Sequence, residues 1–105
     1  MNKFCETLGI RYPIILGGMA RVGTAPLAAA VSNAGGLGLL GASVWSAHEL
    51  KDQIRQARRF TDKIFGVNIP VYAEQAPELA NVIIEEMIRD AHAALPKIRE
   101  NLPRL

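Results

Sequence analysis

Two places in this 105-residue sequence combine residue types that could bind a flat ligand. Gly17 and Gly18 follow the apolar run Tyr12–Leu16, and Asn68 lies near the end of another apolar run, Ile64–Ile69. Glycines let backbone amides come close to a planar molecule, and an asparagine carboxamide offers it both a donor and an acceptor. The simpler interpretations are a tight turn at the glycines and an asparagine bonded to neighbouring backbone. The residues alone leave both interpretations open.

The histidines and the single cysteine give weaker indications of chemistry. His48 falls in the first turn of one predicted helix and His92 within another, positions that favour solvated surface groups over acid-base catalysts. Cys5 is the only cysteine, so a disulfide within the chain and the usual multi-cysteine metal sites are excluded. We therefore predict no catalytic residue and no metal ligand, and a reducing cytoplasm fits best.

The apolar runs alternate with helical patterns in the first half of the chain. Tyr12–Leu16 is typical of a short buried strand. The segment Pro26–Ala34 favours a helix, with Thr24 as its cap and Gly35 as its stop. Leu37–Gly41 predicts a second buried strand whose glycines let neighbouring backbone approach closely.

The same alternation continues in the second half. Ser46 and Glu49 form the spacing of a capping box before an amphipathic helix that ends near residues 61–62. Ile64–Ile69 predicts a third strand, and Pro77 opens a long helical pattern. Strands separated by helices cannot be joined by hairpins, so the sheet should be parallel with right-handed crossovers. The sequence therefore predicts an α/β fold.

The last ten residues should behave differently from the rest. Pro96 interrupts the third helical pattern and predicts a kink or a break into a second short helix, although Ile98, Leu102 and Leu105 extend the apolar stripe. We accordingly expect one domain over residues 1–95 and a helical tail over residues 96–105.

Composition excludes several classes of protein. Half of the residues are hydrophobic, 21% are charged and the formal net charge is +2, which is typical of a folded domain. No basic face indicates nucleic-acid binding. No apolar run reaches the roughly 18 residues of a membrane span, and no charged leader precedes an apolar segment. We expect neither nucleic-acid nor membrane partners.

Three segments together resemble a known family. Tyr12–Ala20, Ala30–Gly41 and Thr61–Ile69 are similar to the opening of the nitronate monooxygenases (2-nitropropane dioxygenases) and of the related flavin-dependent enoyl-ACP reductases. The resemblance covers roughly residues 4 to 88 in the expected order and spacing.

The resemblance implies a partial (β/α)8 TIM barrel of about three β/α units, with parallel strands and a C-terminal helical extension. It also implies FMN bound at the carboxyl ends of the strands and a small nitronate-like or enoyl substrate. Gly18, Met19 and Ala20 match the turn beside the isoalloxazine ring, and Asn68 matches an asparagine that contacts the flavin. The family's catalytic histidine lies in a later part of the barrel and matches neither histidine of this sequence.

Two functions remain open at this point. The chain is expected to be a fragment or truncated oxidoreductase of this family, weak or inactive alone, because the usual phosphate-binding loops follow strands seven and eight. The alternative is a self-associating structural α/β module without catalytic activity, because an open sheet edge is unfavourable in water. Both predict a homo-oligomer. Ile84–Leu95 is either a third helix that runs on or a closing helix joined to three units by a deletion.

Overall fold

The computed structural model describes residues 2–101, which form four helices and two short strands. The elements in chain order are α1 (Lys3–Leu8), α2 (Ala25–Asn33), β1 (Gly38–Gly41), α3 (Ala47–Phe60), β2 (Phe65–Asn68) and α4 (Ala76–Asn101).

The strands are parallel, as predicted. β1 pairs with β2 in a register that sets Gly38 against Phe65 and Gly41 against Asn68. Side chains alternate between the two faces of a strand, so Leu40 and Val67 share the face that the helices cover. Leu39 and Asn68 lie on the opposite face. The fold is thus built from parallel β/α crossovers.

The strand predicted at Tyr12–Leu16 is reduced to one parallel bridge between Ile15 and Leu37. The flanking amides explain this, because they bond elsewhere: the Tyr12 N–H donates to the Gly35 carbonyl (2.9 Å) and the Ile14 N–H to the Tyr12 carbonyl (2.8 Å). Pro13 between them has no N–H to donate. The prediction of a full first strand was therefore wrong in extent, though the pairing it required is present.

Helix α1 was not predicted from the sequence. Its signals are local: the Asn2 side chain accepts the Phe4 N–H (2.8 Å), and Gly9 ends the helix in the left-handed conformation. Six residues are too few to show a helical repeat. Cys5 is the buried residue of this helix.

Two predicted caps had different outcomes. The Ser46–Glu49 capping box is confirmed, with the Glu49 N–H 3.2 Å from Ser46 Oγ and the Ser46 N–H 3.3 Å from Glu49 Oε1. Thr24 takes the N-cap position of α2, but its side chain makes no capping bond. Instead, Gln53 Oε1 on α3 accepts the Ala25 N–H at 2.8 Å, so tertiary contact replaces the local cap.

Helix α4 continues through Pro96 to Asn101, and no second helix begins at the proline within the described residues. A proline removes one helical hydrogen bond, but α4 runs unbroken across Pro96. Leu102, Leu105 and the side chain of Ile98 lie outside what the structure describes, so the predicted tail from residue 96 stays a prediction.

The hydrophobic core lies between the sheet and the helices. Leu40 of β1, Leu50 and Ile54 of α3, and Leu79 and Val82 of α4 are all buried in one cluster. Helix α2 packs on both strands and α3 packs against α2, which fixes the ends of β1 and β2 relative to each other. Those ends carry the candidate site.

Candidate functional site

The candidate site lies where β1 and β2 end. Gly41 and Asn68 are the last residues of their strands and are partners in the parallel register. The Ala42 N–H donates to the Asn68 carbonyl at 3.1 Å, so the segments that leave β1 and β2 stay paired one residue beyond the strands. The carboxyl edge of the sheet is thus held rigidly at Asn68.

A loop after the Ile15 bridge packs against this edge. The Gly23 N–H donates to the Met19 carbonyl (2.8 Å) and closes a turn, while the Gly41 N–H donates to the Gly23 carbonyl (2.9 Å). A Cβ added at Gly41 would lie 2.5–3.0 Å from backbone atoms of Met19. Only glycine allows this approach, which seats the turn directly on the end of β1.

The same loop brings Gly18 against Asn68. A Cβ added at Gly18 would lie 2.8 Å from the Asn68 Cβ and closer still to its carboxamide. Positive φ angles among glycines of the described chain occur at Gly9 and Gly35, not at Gly17 or Gly18. Gly18 is therefore required for close approach and not for a positive φ angle.

A pocket of about 220 Å³ opens beside this contact. It contains three of the four residues predicted for the site, while Met19 contributes backbone to the turn and does not line the pocket. The lining residues are Gly18, Ala20, Gly41, Ser43, Asn68, Pro70 and Tyr72.

Ser43 and Tyr72 were not identified from the sequence. The signal available for Ser43 was its place just after a predicted strand, where polar residues often serve binding. Tyr72 lies in the loop after β2 and is 87% exposed, and no sequence pattern singles it out. Its position depends on how that loop folds back: Gln75 Nε2 donates to the carbonyls of Ser43 and Trp45, both at 3.0 Å.

The edge presents polar groups that the protein does not use internally. Among residues 2–101, the amides of Gly18, Met19 and Ala20 donate to no other residue, and the Asn68 carboxamide has no hydrogen-bond partner. Backbone donors and a carboxamide without internal partners are groups that can bind the donors and acceptors along the edge of a heteroaromatic ring. The residues present therefore fit the flavin that the resemblance implies.

A larger groove of about 420 Å³ lies at the other end of β2, between α3 and α4. Glu86, 1% exposed, forms its polar side: Arg55 Nε donates to it at 3.0 Å and Arg58 Nη1 at 3.2 Å, and Arg58 also reaches Asp90. Burial raises the pKa of the Glu86 carboxyl, but the hydrogen bonds and charges of Arg58 and Arg55 outweigh it and hold the pKa below its usual range. This cluster joins two helices and lies away from the Asn68 edge.

Both histidines lie on the surface, as predicted. His48 is 3.4 Å from Asp52, one turn further along α3, and His92 is exposed on α4. Within residues 2–101, no three His, Cys, Asp or Glu side chains are grouped to hold a metal ion. None of the described helices is both long and apolar enough to span a membrane.

Comparison with known proteins gives the chain its family. Residues 2–99 match the family described as nitronate monooxygenase. This chain belongs to the nitronate monooxygenase family. The resemblance to this family that the sequence shows is therefore confirmed.

Individual relatives agree with this assignment. A probable nitronate monooxygenase of Staphylococcus aureus is 44% identical over 75 residues, which is 71% of this chain and 21% of that protein. The 5-hydroxy-7a-methyl-1-oxo-octahydro-1H-indene-4-carboxyl-CoA dehydrogenase of Rhodococcus jostii is 37% identical over 100 residues, or 95% of this chain and 28% of the relative.

A solved structure confirms the fold class. FabK from Thermotoga maritima superposes with a TM-score of 0.81 and 45% identity over 83% of this chain, which is 28% of FabK. The chain therefore contains three β/α units of a TIM barrel and spans between a fifth and three tenths of the relatives that it matches.

Proposed function

We propose that the turn Gly18–Ala20 and Asn68 form the part of an FMN site that contacts the isoalloxazine ring in a nitronate monooxygenase-like oxidoreductase. The contact of Gly18 with Asn68 at the carboxyl edge carries the proposal. It brings together two segments 50 residues apart, next to free amides and a pocket. Ligands of parallel α/β sheets bind at this edge.

Each residue has a definite task in this proposal. The turn amides donate to acceptor atoms of the ring, and the Asn68 carboxamide both donates from Nδ2 and accepts at Oδ1. Gly18 keeps the turn close enough for both to reach the same ring edge. FMN, when bound, supplies the electron transfer for a small nitronate-like or enoyl substrate, and the protein supplies position and electrostatics.

We propose that these 105 residues alone have weak activity or none. His48 and His92 lie on helix surfaces and do not line the pocket at Asn68. A surface imidazole cannot take a proton from a substrate held at the sheet edge, because general-base catalysis requires hydrogen-bond reach. The chain thus contributes binding groups, and proton transfer requires groups from elsewhere.

A fluorescence titration of FMN tests the binding proposal. Asn68→Ala should weaken FMN binding by about 1–3 kcal/mol, because ring hydrogen bonds are lost. Asn81→Ala, at an exposed position of α4, is the matched control and should leave the dissociation constant unchanged. Equal affinity of Asn68→Ala and wild type would place the asparagine outside the site.

Self-association is a second candidate function, and the exposed apolar surface favours it. Val71, Ile14 and Ile88 are large apolar residues that are each more than half exposed, and β2 has no strand on its outer edge within the described residues. Such surfaces favour association in water. A colourless stable homo-oligomer would favour a structural module, whereas flavin absorbance in the purified protein would favour the oxidoreductase.

A further inference from the structure

The loop after β2 exposes two large apolar side chains beside the candidate site. Val71 is 94% exposed and Tyr72 87%, more than any other large apolar residue that the structure describes. They occupy the central positions of a turn that the Ala73 N–H closes on the Pro70 carbonyl at 3.0 Å. Such positions usually hold glycine, proline, asparagine, aspartate or serine. Tyr72 contributes little to the packing of the fold here, which leaves its ring available to a ligand.

Gln75 holds this turn in place. Its Nε2 donates to the carbonyls of Ser43 and Trp45, both at 3.0 Å. Trp45 is buried in the core and its N–H donates to the Ala42 carbonyl at 3.1 Å, so the segment that accepts these bonds is itself fixed. The loop after β2 is therefore anchored beside the end of β1, which lowers the cost of ordering Tyr72 for binding.

Tyr72 lines the pocket at the carboxyl edge of the sheet, whereas its neighbour Val71 does not. Of the seven lining residues Tyr72 alone is aromatic, and small residues at the sheet edge leave room beside it: Gly18, Ala20 and Gly41. Aromatic rings are stabilised by offset stacking on a second flat ring. The pocket thus offers one stacking surface next to the groups that can bind a ring edge.

We propose that the Tyr72 ring stacks on the isoalloxazine ring of FMN, and that Gln75 is the positioning residue that holds Tyr72 there. In the function proposed above, the turn amides and the Asn68 carboxamide bind the edge of the flavin, which leaves its face to be covered. The inference rests on that proposed function and adds the residue that covers the face.

A titration of the complete chain into FMN at a fixed low concentration, followed by flavin fluorescence anisotropy, tests the stacking. Tyr72→Ser should raise the dissociation constant about three- to tenfold, the loss expected for one aromatic pair. Tyr72→Phe keeps the ring and should bind within about twofold of the wild type. Val71→Ser, one residue away on the same turn and outside the pocket, is the matched control and should leave the dissociation constant unchanged.

Fluorescence quenching separates stacking from a purely structural role of Tyr72. An excited isoalloxazine ring takes an electron from a stacked phenol and returns it, which quenches the flavin fluorescence, whereas a phenyl ring is too poor a donor. Binding to the wild type should therefore quench flavin fluorescence much more than binding to Tyr72→Phe. Equal quenching by both proteins would contradict the stacking.

A double-mutant cycle tests the role of Gln75. Gln75→Ala should weaken FMN binding through Tyr72, so adding it to Tyr72→Ser should cause no further loss. An unchanged affinity of Gln75→Ala, or losses that multiply in the double variant, would contradict the positioning role. Far-UV circular dichroism confirms that each variant is folded.

The outcomes distinguish this inference from the proposed function. A wild type that does not bind FMN overturns the flavin site and the stacking with it. Binding that Asn68→Ala weakens and Tyr72→Ser leaves unchanged overturns the stacking alone, while the flavin site stands.

Discussion

At the scale of single residues, the contact between Gly18 and Asn68 links the sequence to the proposed chemistry. Neither residue is distinctive alone: one is a glycine after an apolar run and the other an exposed asparagine at a strand end. Their contact leaves no space for a Cβ at Gly18, and it turns the Asn68 carboxamide towards a pocket. Gly18, which must be a glycine for steric reasons, therefore lies beside Asn68, the residue that offers a binding group.

Gly18→Ala should displace the Asn68 side chain and destabilise the fold by about 1 kcal/mol, the lower end of overpacking costs, because an exposed carboxamide can move aside. The NMR shifts of the Asn68 side-chain amide would report the displacement. Gly17→Ala is the matched control, since nothing lies within 4 Å of a Cβ at that position. Identical Asn68 shifts in both variants would contradict the steric argument.

The sequence predicted some of these site residues and not others for a physical reason. Gly18 lies just after one apolar run and Asn68 near the end of another, so the parallel order of the strands brings them to one edge. Ser43 and Tyr72 reach the pocket because the Gln75 side chain holds the loop after β2 against the segment after β1. That contact spans 32 residues and leaves no local pattern.

At the scale of elements, the Ser32 hydroxyl joins the beginnings of the two strands. It accepts the Gly38 N–H at 3.0 Å and donates to the Ile64 carbonyl at 2.7 Å, and Ser32 is buried. These backbone groups flank the first pair of the parallel register, Gly38 with Phe65. A side chain of α2 thereby helps to set the register that brings Asn68 to its place.

Ser32→Ala should lower the free energy of unfolding by about 2 kcal/mol, because a buried N–H and a carbonyl both lose their partner. Urea denaturation measures the change. Ser43→Ala removes a hydroxyl that forms no hydrogen bond within the described residues and should change stability by less than about 0.5 kcal/mol. Equal stability of Ser32→Ala and wild type would show that the strands pair directly without the hydroxyl.

The Glu86 cluster joins α3 to α4 and should make stability depend on pH. The pKa of the Glu86 carboxyl is lowered in the folded state. The ionised carboxylate therefore stabilises the fold fully above the ordinary glutamate pKa of about 4.3, and this stabilisation is lost as the pH falls through the lower pKa of the folded state.

Glu86→Gln should cost about 1–2 kcal/mol at pH 7, an estimate reduced because Arg55 and Arg58 are partly exposed. As the pH falls below the ordinary glutamate value of about 4.3, the stability difference between the variant and the wild type should shrink, as followed by urea denaturation across pH. Glu74→Gln, in the exposed loop after β2, should behave as wild type throughout. A gap that stays constant from pH 7 to pH 3 would contradict the role of the charge.

The elements that the sequence predicted best are those with local signals. Helix α3 has both a capping box and a clear apolar repeat, and its structure agrees with the prediction. The length of the first strand was overestimated. Tyr12–Leu16 is apolar enough for a strand, but the Tyr12 N–H donates to the Gly35 carbonyl and not to a neighbouring strand. Thr24 was predicted as the cap of α2, but the Gln53 side chain of α3 accepts the hydrogen bond from the Ala25 N–H. Tertiary contacts override local preference in both cases.

At the scale of the whole molecule, three β/α units leave apolar surface that a complete barrel would cover. If copies of the chain cover it for each other, association and folding are coupled, and the melting temperature should rise with protein concentration. Over a hundredfold range we expect a rise of about 5 °C or more in calorimetry. A wild-type melting temperature independent of concentration would contradict the coupling.

An FMN titration into the millimolar range, where weak binding is still visible by NMR, tests whether the carboxyl edge at Gly18 and Asn68 contacts flavin. We expect the largest shifts on the backbone amides of Gly18, Met19 and Ala20 and on the Asn68 side-chain amide. Shifts confined to other surfaces, or none at the highest FMN concentration, would contradict it.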